Sequence, residues 1–401
     1  MATAASIPGH VPADRVVDFD LFAPPGGEVD YHGGWKTLQG GPALVWTTAN
    51  HGHWIATSGE LVRQLWADNV RLSSKVLTVT PGLGEVMDFI PLQQDGKEHH
   101  DTRTAIMRAM ASRFIVALEP KVVDVARELI ADIRPKGHCD FMAEFAEILP
   151  LHIFLTLIDV PVEDRARLRP LGAQLTRPDG SMTVEQLRDA ADEYLAPYIA
   201  ERMANPGDDL FSRIFKEKVG DRAWTVDEAR RMCRNLLFGG LDTVVAMVGM
   251  IGLHFARFPQ DQALLRDRPE LIPQAADELM RRYPVANVGR NAVEDIEVDG
   301  VTIRKGDIVY LASTLHNLDP ACFDEPEKVD FERGSNPVRN TTLGAGAHRC
   351  VGAGLARMEV IAFLREWTQG MPLVRLDPEK RVTMRGGAVG ACNTLPLVWE
   401  I

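Results

Sequence analysis

The sequence predicts a mainly α fold with a small, separate β region, arranged as one domain. Helix-periodic segments such as Val122–Ile133, Val184–Met203 and Thr225–Phe255 alternate with short loops marked by Pro and Gly from about Gly59 to Gln369. Short β-branched runs lie near Ala43–Thr47, His53–Thr57, Ile296–Ile303, Ile308–Ala312 and Leu395–Trp399, several bounded by Gly, Asp or Asn. No Ser/Gly-rich or charge-block linker interrupts residues 30–400 and no segment repeats, so residues 1–401 are expected to form a single domain.

From the N-terminus onward, Met1 to Asp20 is rich in Ala, Pro and Asp and lacks the charged-then-apolar order of a signal peptide. It is expected to be a mobile arm of about 20 residues. The most apolar stretches, Ile148–Val162 and Val244–Ala256, fall short of a membrane span, and His152 and Asp159 break the first. A cytoplasmic protein without a membrane partner is the expectation. With 45% hydrophobic and 25% charged residues the chain has the composition of a globular protein with a sizeable core. A net charge of −12 argues against nucleic acid as a partner, because phosphate binding needs a surplus of Lys and Arg on some face.

The longest helical candidate starts at Thr225, a natural N-cap followed by Asp227 and Glu228, where carboxylates favour the helix dipole. It is expected to run to about Arg257. Its middle reads Leu237-Phe238-Gly239-Gly240-Leu241-Asp242-Thr243, with two glycines and a charge inside an otherwise apolar helix. Each interior glycine costs about 1 kcal/mol relative to Ala, so the pair needs a reason.

Cys139, Cys233, Cys322, Cys350 and Cys392 are far apart, odd in number and form no CxxC pair, which disfavours a disulfide framework or a zinc site. Most free cysteines are small buried hydrophobes. Cys350 differs: it follows a glycine-rich loop, Leu343-Gly344-Ala345-Gly346-Ala347-His348-Arg349, and precedes the amphipathic segment Ala353–Trp367. A thiolate near that helix N-terminus is expected to have a lowered pKa and to be able to bind iron. A phosphate-binding GxGxxG turn would require glycine where Arg349 stands, and a zinc site on His348 and Cys350 lacks further ligands nearby.

Three segments, Leu343–Gly352, Glu278-Leu279-Met280-Arg281 and Gly239–Thr243, resemble in content and order the signatures of the cytochrome P-450 family of haem-thiolate monooxygenases. The likeness spans nearly the whole chain. It is nearest to the bacterial camphor 5-monooxygenases, through runs such as His53–Thr57, Thr176–Thr183 and Leu395–Trp399. The resemblance implies a P-450 fold with a long central distal helix and a proximal cysteine loop. It implies haem b with Cys350 as axial iron ligand, and His99, Arg103, Arg290 and His348 as partners of its propionates. Leu343 stands where the family usually has Phe, and Val288 where the camphor enzymes have Asp.

Further roles follow from the same resemblance. Thr243 is implied to hydrogen-bond dioxygen, and Asp242 to gate proton entry by swinging between Arg169 or Arg177 and the active site. The glycine pair then reads as a widened helix turn that leaves room for oxygen and water. Glu278, Arg281 and Arg333 are implied to form a buried structural group. The implied substrate pocket comprises Met87, Thr78, Phe238, Asn235, Gly239, Val285, Ala388 and Val389. Met87 replaces the tyrosine that holds camphor's ketone, Thr78 and Ala388 enlarge the cavity, and Phe238 and Asn235 narrow or repolarise another wall. Weak camphor binding and a terpenoid or norisoprenoid substrate such as ionone are therefore expected.

The chain carries no flavin, nicotinamide or iron–sulfur signature, so electrons must come from outside. A [2Fe–2S] ferredoxin with a separate reductase is implied, docking near Arg103, Arg339 and Arg349. Two other readings stay open: a haem-thiolate sensor that binds without turnover, and a camphor hydroxylase. The Asp242-Thr243 pair argues against a sensor, and against peroxide-driven catalysis, because neither needs an acid and an alcohol for proton delivery.

Overall fold

Thr225 begins the central helix with a reciprocal box. Its hydroxyl accepts from the Glu228 amide at 3.2 Å, while the Glu228 carboxylate accepts from the Thr225 amide at 3.0 Å, which satisfies two free helix-end donors. In the computed structural model, which describes residues 5–80, 82–333 and 339–401, this helix spans Val226–Leu241 and a second, Thr243–Arg257, continues it. The single helix expected from Thr225 to Arg257 is thus two. Asp242 leaves helical geometry, at φ −129° and ψ −26°, and its carboxylate is bonded to donors outside the helix. The run Val226–Arg257 is long and apolar enough to cross a membrane, yet 78% of its most apolar window is buried inside the protein.

The two mid-helix glycines do different things. A Cβ on Gly240 would lie 2.4 Å from the ring of Phe154, so this position is a notch that lets the Leu149–Leu157 helix pack close. A Cβ on Gly239 would meet no atom within 4 Å. Behind the second half of the helix pair, Phe141, Phe145, Phe363 and Trp367 form an aromatic cluster, with ring centroids 4.9 to 6.0 Å apart. It joins the central helices to the Ala353–Gly370 helix, which packs in turn on Glu119–Ile133.

Six strands make the larger sheet, in the order Val16–Val17, Leu44–Thr47, His53–Ala56, Ile308–Ala312, Asn287–Ala292, Leu72–Ser73. The expected run Ile296–Ile303 is a hairpin of Ile296–Val298 and Val301–Ile303, turning at Asp299 and Gly300, both with positive φ. Asn287–Ala292 was not foreseen. Its antiparallel register with Ile308–Ala312 sets Arg290 opposite Val309, and residues 286, 288 and 290 all border the central cavity. Of the stretch expected as a mobile arm, residues 1–4 lie outside the described residues and the remainder is held in the fold. Val16–Val17 pairs in parallel with Trp46–Thr47, Val11 and Phe19 are buried, and His10 Nε2 lies 2.8 Å from Asp307.

The glycine pair gives a differential test. Gly240→Ala is expected to lower stability by about 1–3 kcal/mol through overpacking on Phe154, whereas Gly239→Ala is expected to be neutral or stabilising by up to ~1 kcal/mol. Urea unfolding of both variants side by side decides this, and equal losses would refute the packing account.

Candidate active site

The glycine-rich loop carries Cys350 into the protein. The Cys350 amide donates to the Leu343 carbonyl at 2.8 Å, closing the loop on itself. Gly346, at φ +65°, lies so close to the Gly59–Ala67 helix that a Cβ would sit 2.9 Å from Ala67 Cα; only glycine meets both demands. The Ala353–Gly370 helix follows at once. Cys350 has accessible surface, but it borders a cavity of about 300 Å³ that Gly239, Gly240 and Thr243 also line.

The expected lowering of the Cys350 pKa is not found. Burial raises it above the ordinary thiol value, and the Gly352 amide, Arg103 and Arg349 offset that only in part. Desolvation of a sulfur anion against apolar walls exceeds what a helix end and two offset charges return. An iron ion on the sulfur would supply positive charge that favours the thiolate.

At the same cavity four cationic or donor side chains converge: His99 and Arg103 from the Gly96–Ala109 helix, Arg290 from the Asn287–Ala292 strand, and His348 from the cysteine loop. The two imidazoles stack with centroids 3.9 Å apart, and each Nε2 is buried without a partner. Arg290 is 3% exposed and donates to the Gly289 carbonyl, while Arg103 donates to the Arg349 carbonyl. Among the described residues none of the four makes an ion pair with a carboxylate. Burial holds Arg290 down to about 10. Orphaned donors and uncompensated charge beside an apolar space suit a flat apolar group bearing carboxylates, with a metal over the sulfur, so these residues fit haem.

Thr243 lines the cavity, and its hydroxyl donates to the Gly239 carbonyl at 2.9 Å. Asp242 is not in the lining. Its Oδ2 accepts from Arg177 at 2.7 Å and from Thr176 at 3.0 Å, and its Oδ1 faces Arg385 at 3.3 Å. Of the two expected partners only Arg177 is present, since Arg169 pairs with Glu147 at 2.8 Å instead. Arg385 was missed; it is 143 positions from Asp242 in sequence, and no spacing links them.

Among the expected pocket residues, the structure brings Asn235, Gly239 and Val285 to the cavity. Met87, Thr78, Phe238, Ala388 and Val389 lie outside its lining. Met87 is fully buried in the short helix Leu83–Met87, and Phe89 packs edge-on against Phe238 at 5.9 Å, closing that wall. The Asn235 amide donates to the Ile90 carbonyl at 3.1 Å. Leu92, Leu236, Val244 and Met247 add apolar walls that were not foreseen.

Beneath the loop, Arg281 forms two 2.8 Å bonds to Glu278, and Arg333 a third at 3.0 Å. Glu278 and Arg281 are buried, as the implied structural group requires.

A family model described as Cytochrome P450 matches residues 181–369. Probable cytochrome P450 127A1 of Sinorhizobium fredii is 32% identical, over 98% of this chain and 97% of its own. Nocardicin C N-oxygenase of Nocardia uniformis is 30% identical, over 92% and 96%. The crystal structure of cytochrome P450 CYP101C1 superposes with a TM-score of 0.94 at 71% identity, over 99% of this chain and 100% of that one. That of CYP101J2 gives 0.90 at 35%.

Burial first, then neighbouring positive charge, lowers His99 to about 4 and His348 to about 3 from 6.5. Between pH 6.5 and those values the folded chain binds fewer protons than the unfolded one, so stability falls as pH drops through that window. The haem-free protein is expected to show a declining urea midpoint over this range and His348→Gln a shallower decline; an unchanged slope would count against a neutral buried His348.

Proposed function

The chain belongs to the cytochrome P450 family, and on that premise we propose that it hydroxylates a small hydrophobic terpenoid or norisoprenoid such as ionone, drawing electrons from a [2Fe–2S] ferredoxin with a separate reductase. As a family member it is a haem b monooxygenase, an oxidoreductase. The observation that carries the reading is one apolar cavity shared by Cys350 and Thr243, with the carboxylate of Asp242 immediately behind.

In this reading Cys350 would hold the iron, and His99, Arg103, Arg290 and His348 would hold the propionates. Bound haem supplies the redox centre at which O2 is activated. The reaction consumes two protons and two electrons; one oxygen atom enters a C–H bond and the other leaves as water. The chain's own task is to deliver those protons without flooding the cavity. Thr243 donates to Gly239, which leaves its hydroxyl oxygen free to accept a hydrogen bond from the cavity side. Asp242, on the far side of the helix break, takes up protons and passes them to Thr243.

The substrate reading rests on the apolar part of the cavity wall. Leu92, Leu236, Val244, Met247 and Val285 offer contact to a hydrocarbon body, and Asn235 offers one polar handle. Met87 lies behind this wall and offers no hydroxyl to fix a ketone. For the ferredoxin, Arg339 and Arg349 remain as basic docking residues, since Arg103 is turned inward.

A reduced carbon monoxide spectrum with a red-shifted Soret band is expected for the holoenzyme, and its loss in Cys350→Ser. Ionone, but not camphor, is expected to drive the ferric low-to-high-spin shift; the reverse preference leaves the enzyme class standing and overturns the substrate. Arg349→Glu is expected to slow reduction by the ferredoxin at low salt, and an unchanged rate refutes the docking surface.

A further inference from the structure

We propose that Arg385 is a second latch on Asp242, a positioning residue that holds the carboxylate away from the cavity until a proton is to be delivered; this rests on the reading of Asp242 as proton carrier. Both carboxylate oxygens are engaged, Oδ2 by Arg177 and Thr176 and Oδ1 by Arg385. A single arginine would leave one oxygen free to turn. Two arginines on different elements, one after the Arg165–Thr176 helix and one ending the Thr383–Arg385 strand, clamp it from both sides.

Arg385 is well anchored for this work. Its Nη1 donates to the Cys392 carbonyl at 3.2 Å and to the Asn393 side chain, which ties it to the neighbouring strand Ala391–Thr394. Its Nε is buried without a partner, and burial holds the guanidinium down to about 10. Asp242 is its ion-pair partner among the described residues. Glu147 is close enough for each to feel the other's charge, but its bonded partner is Arg169. When Asp242 turns away, Arg385 and Arg177 therefore both lose their carboxylate, and each bond adds to the barrier against release.

Removing one charge-assisted bond should raise the released fraction of Asp242 about tenfold. The test is oxygen uptake by the holoenzyme, driven by NADH through a ferredoxin and its reductase with ionone as probe, in H2O and in D2O. Arg385→Gln is expected to show faster proton-limited uptake, by up to about tenfold, and a smaller solvent isotope effect, with an intact carbon monoxide band. Arg385→Lys is expected to return both toward the wild type. Independently of any substrate, Arg385→Gln and Asp242→Asn are expected to be non-additive in urea unfolding.

Should Arg385→Gln leave rate and isotope effect unchanged while Asp242→Asn collapses uptake, the latch is wrong and the role of Asp242 stands. If Asp242→Asn is itself without effect, the role of Asp242 falls and the latch with it. Strict additivity in unfolding also overturns the latch, because the pair would then share no bond that matters.

Discussion

Two arginines and two imidazoles meet at one largely apolar cavity, and among the described residues none of the four is ion-paired with a carboxylate. Burying unpaired positive charge is among the costlier things a fold can do. Here it is done from three separate elements: a helix, a central strand of the larger sheet, and the cysteine loop. The arrangement makes sense when an anionic group with an apolar body completes it. His99 and His348 follow from the same constraint. Kept neutral by burial, they add donors without adding further positive charge.

The sulfur depends on a different support. Arg281, held by Glu278, reaches past its partner to the carbonyls of Asn317, Pro326 and Lys328. Asn317 then receives the Thr341 amide on its Oδ1, and Thr342 donates to the Met280 carbonyl. The next residue, Leu343, accepts from the Cys350 amide. Hydrogen bonds and the short backbone run Thr341–Leu343 thus connect the buried ion group to the loop that presents the thiol. Misplacing the loop would move the sulfur and His348 relative to His99, Arg103 and Arg290, so the ion group serves geometry more than stability.

Where local pattern decides structure, the sequence was readable. Val184–Ala204 and Ile308–Ala312 match the expected Val184–Met203 and Ile308–Ala312 closely, because their periodicity or β-branching agrees with the fold. Asn287–Ala292 reads Asn-Val-Gly-Arg-Asn-Ala and has no alternation; it becomes a strand because Ile308–Ala312 lies alongside. The loop, the acid–alcohol pair and the ion group were visible as motifs. The pocket wall was less so, because which side chain faces a cavity depends on neighbours such as Phe89, whose contact with Phe238 no spacing reveals. Arg385 was invisible for the same reason.

The break at Asp242 resolves a conflict that an unbroken helix would not. A cavity that oxidises hydrocarbon needs to exclude water, yet the chemistry needs protons, and a carboxylate placed in the wall beside Thr243 would either pay for its desolvation or draw water in. Interrupting the helix for one residue lets the carboxylate lie outside, bonded to Arg177, Thr176 and Arg385, while the next residue, Thr243, stays inside. Gly240 lets Phe154 seal the helix from one side, and Gly239 keeps the space beside Thr243 open. The two glycines therefore do not simply widen a turn. One closes the wall and the other preserves the room, and their joint helix cost of about 2 kcal/mol is the consequence of asking one helix turn to do both.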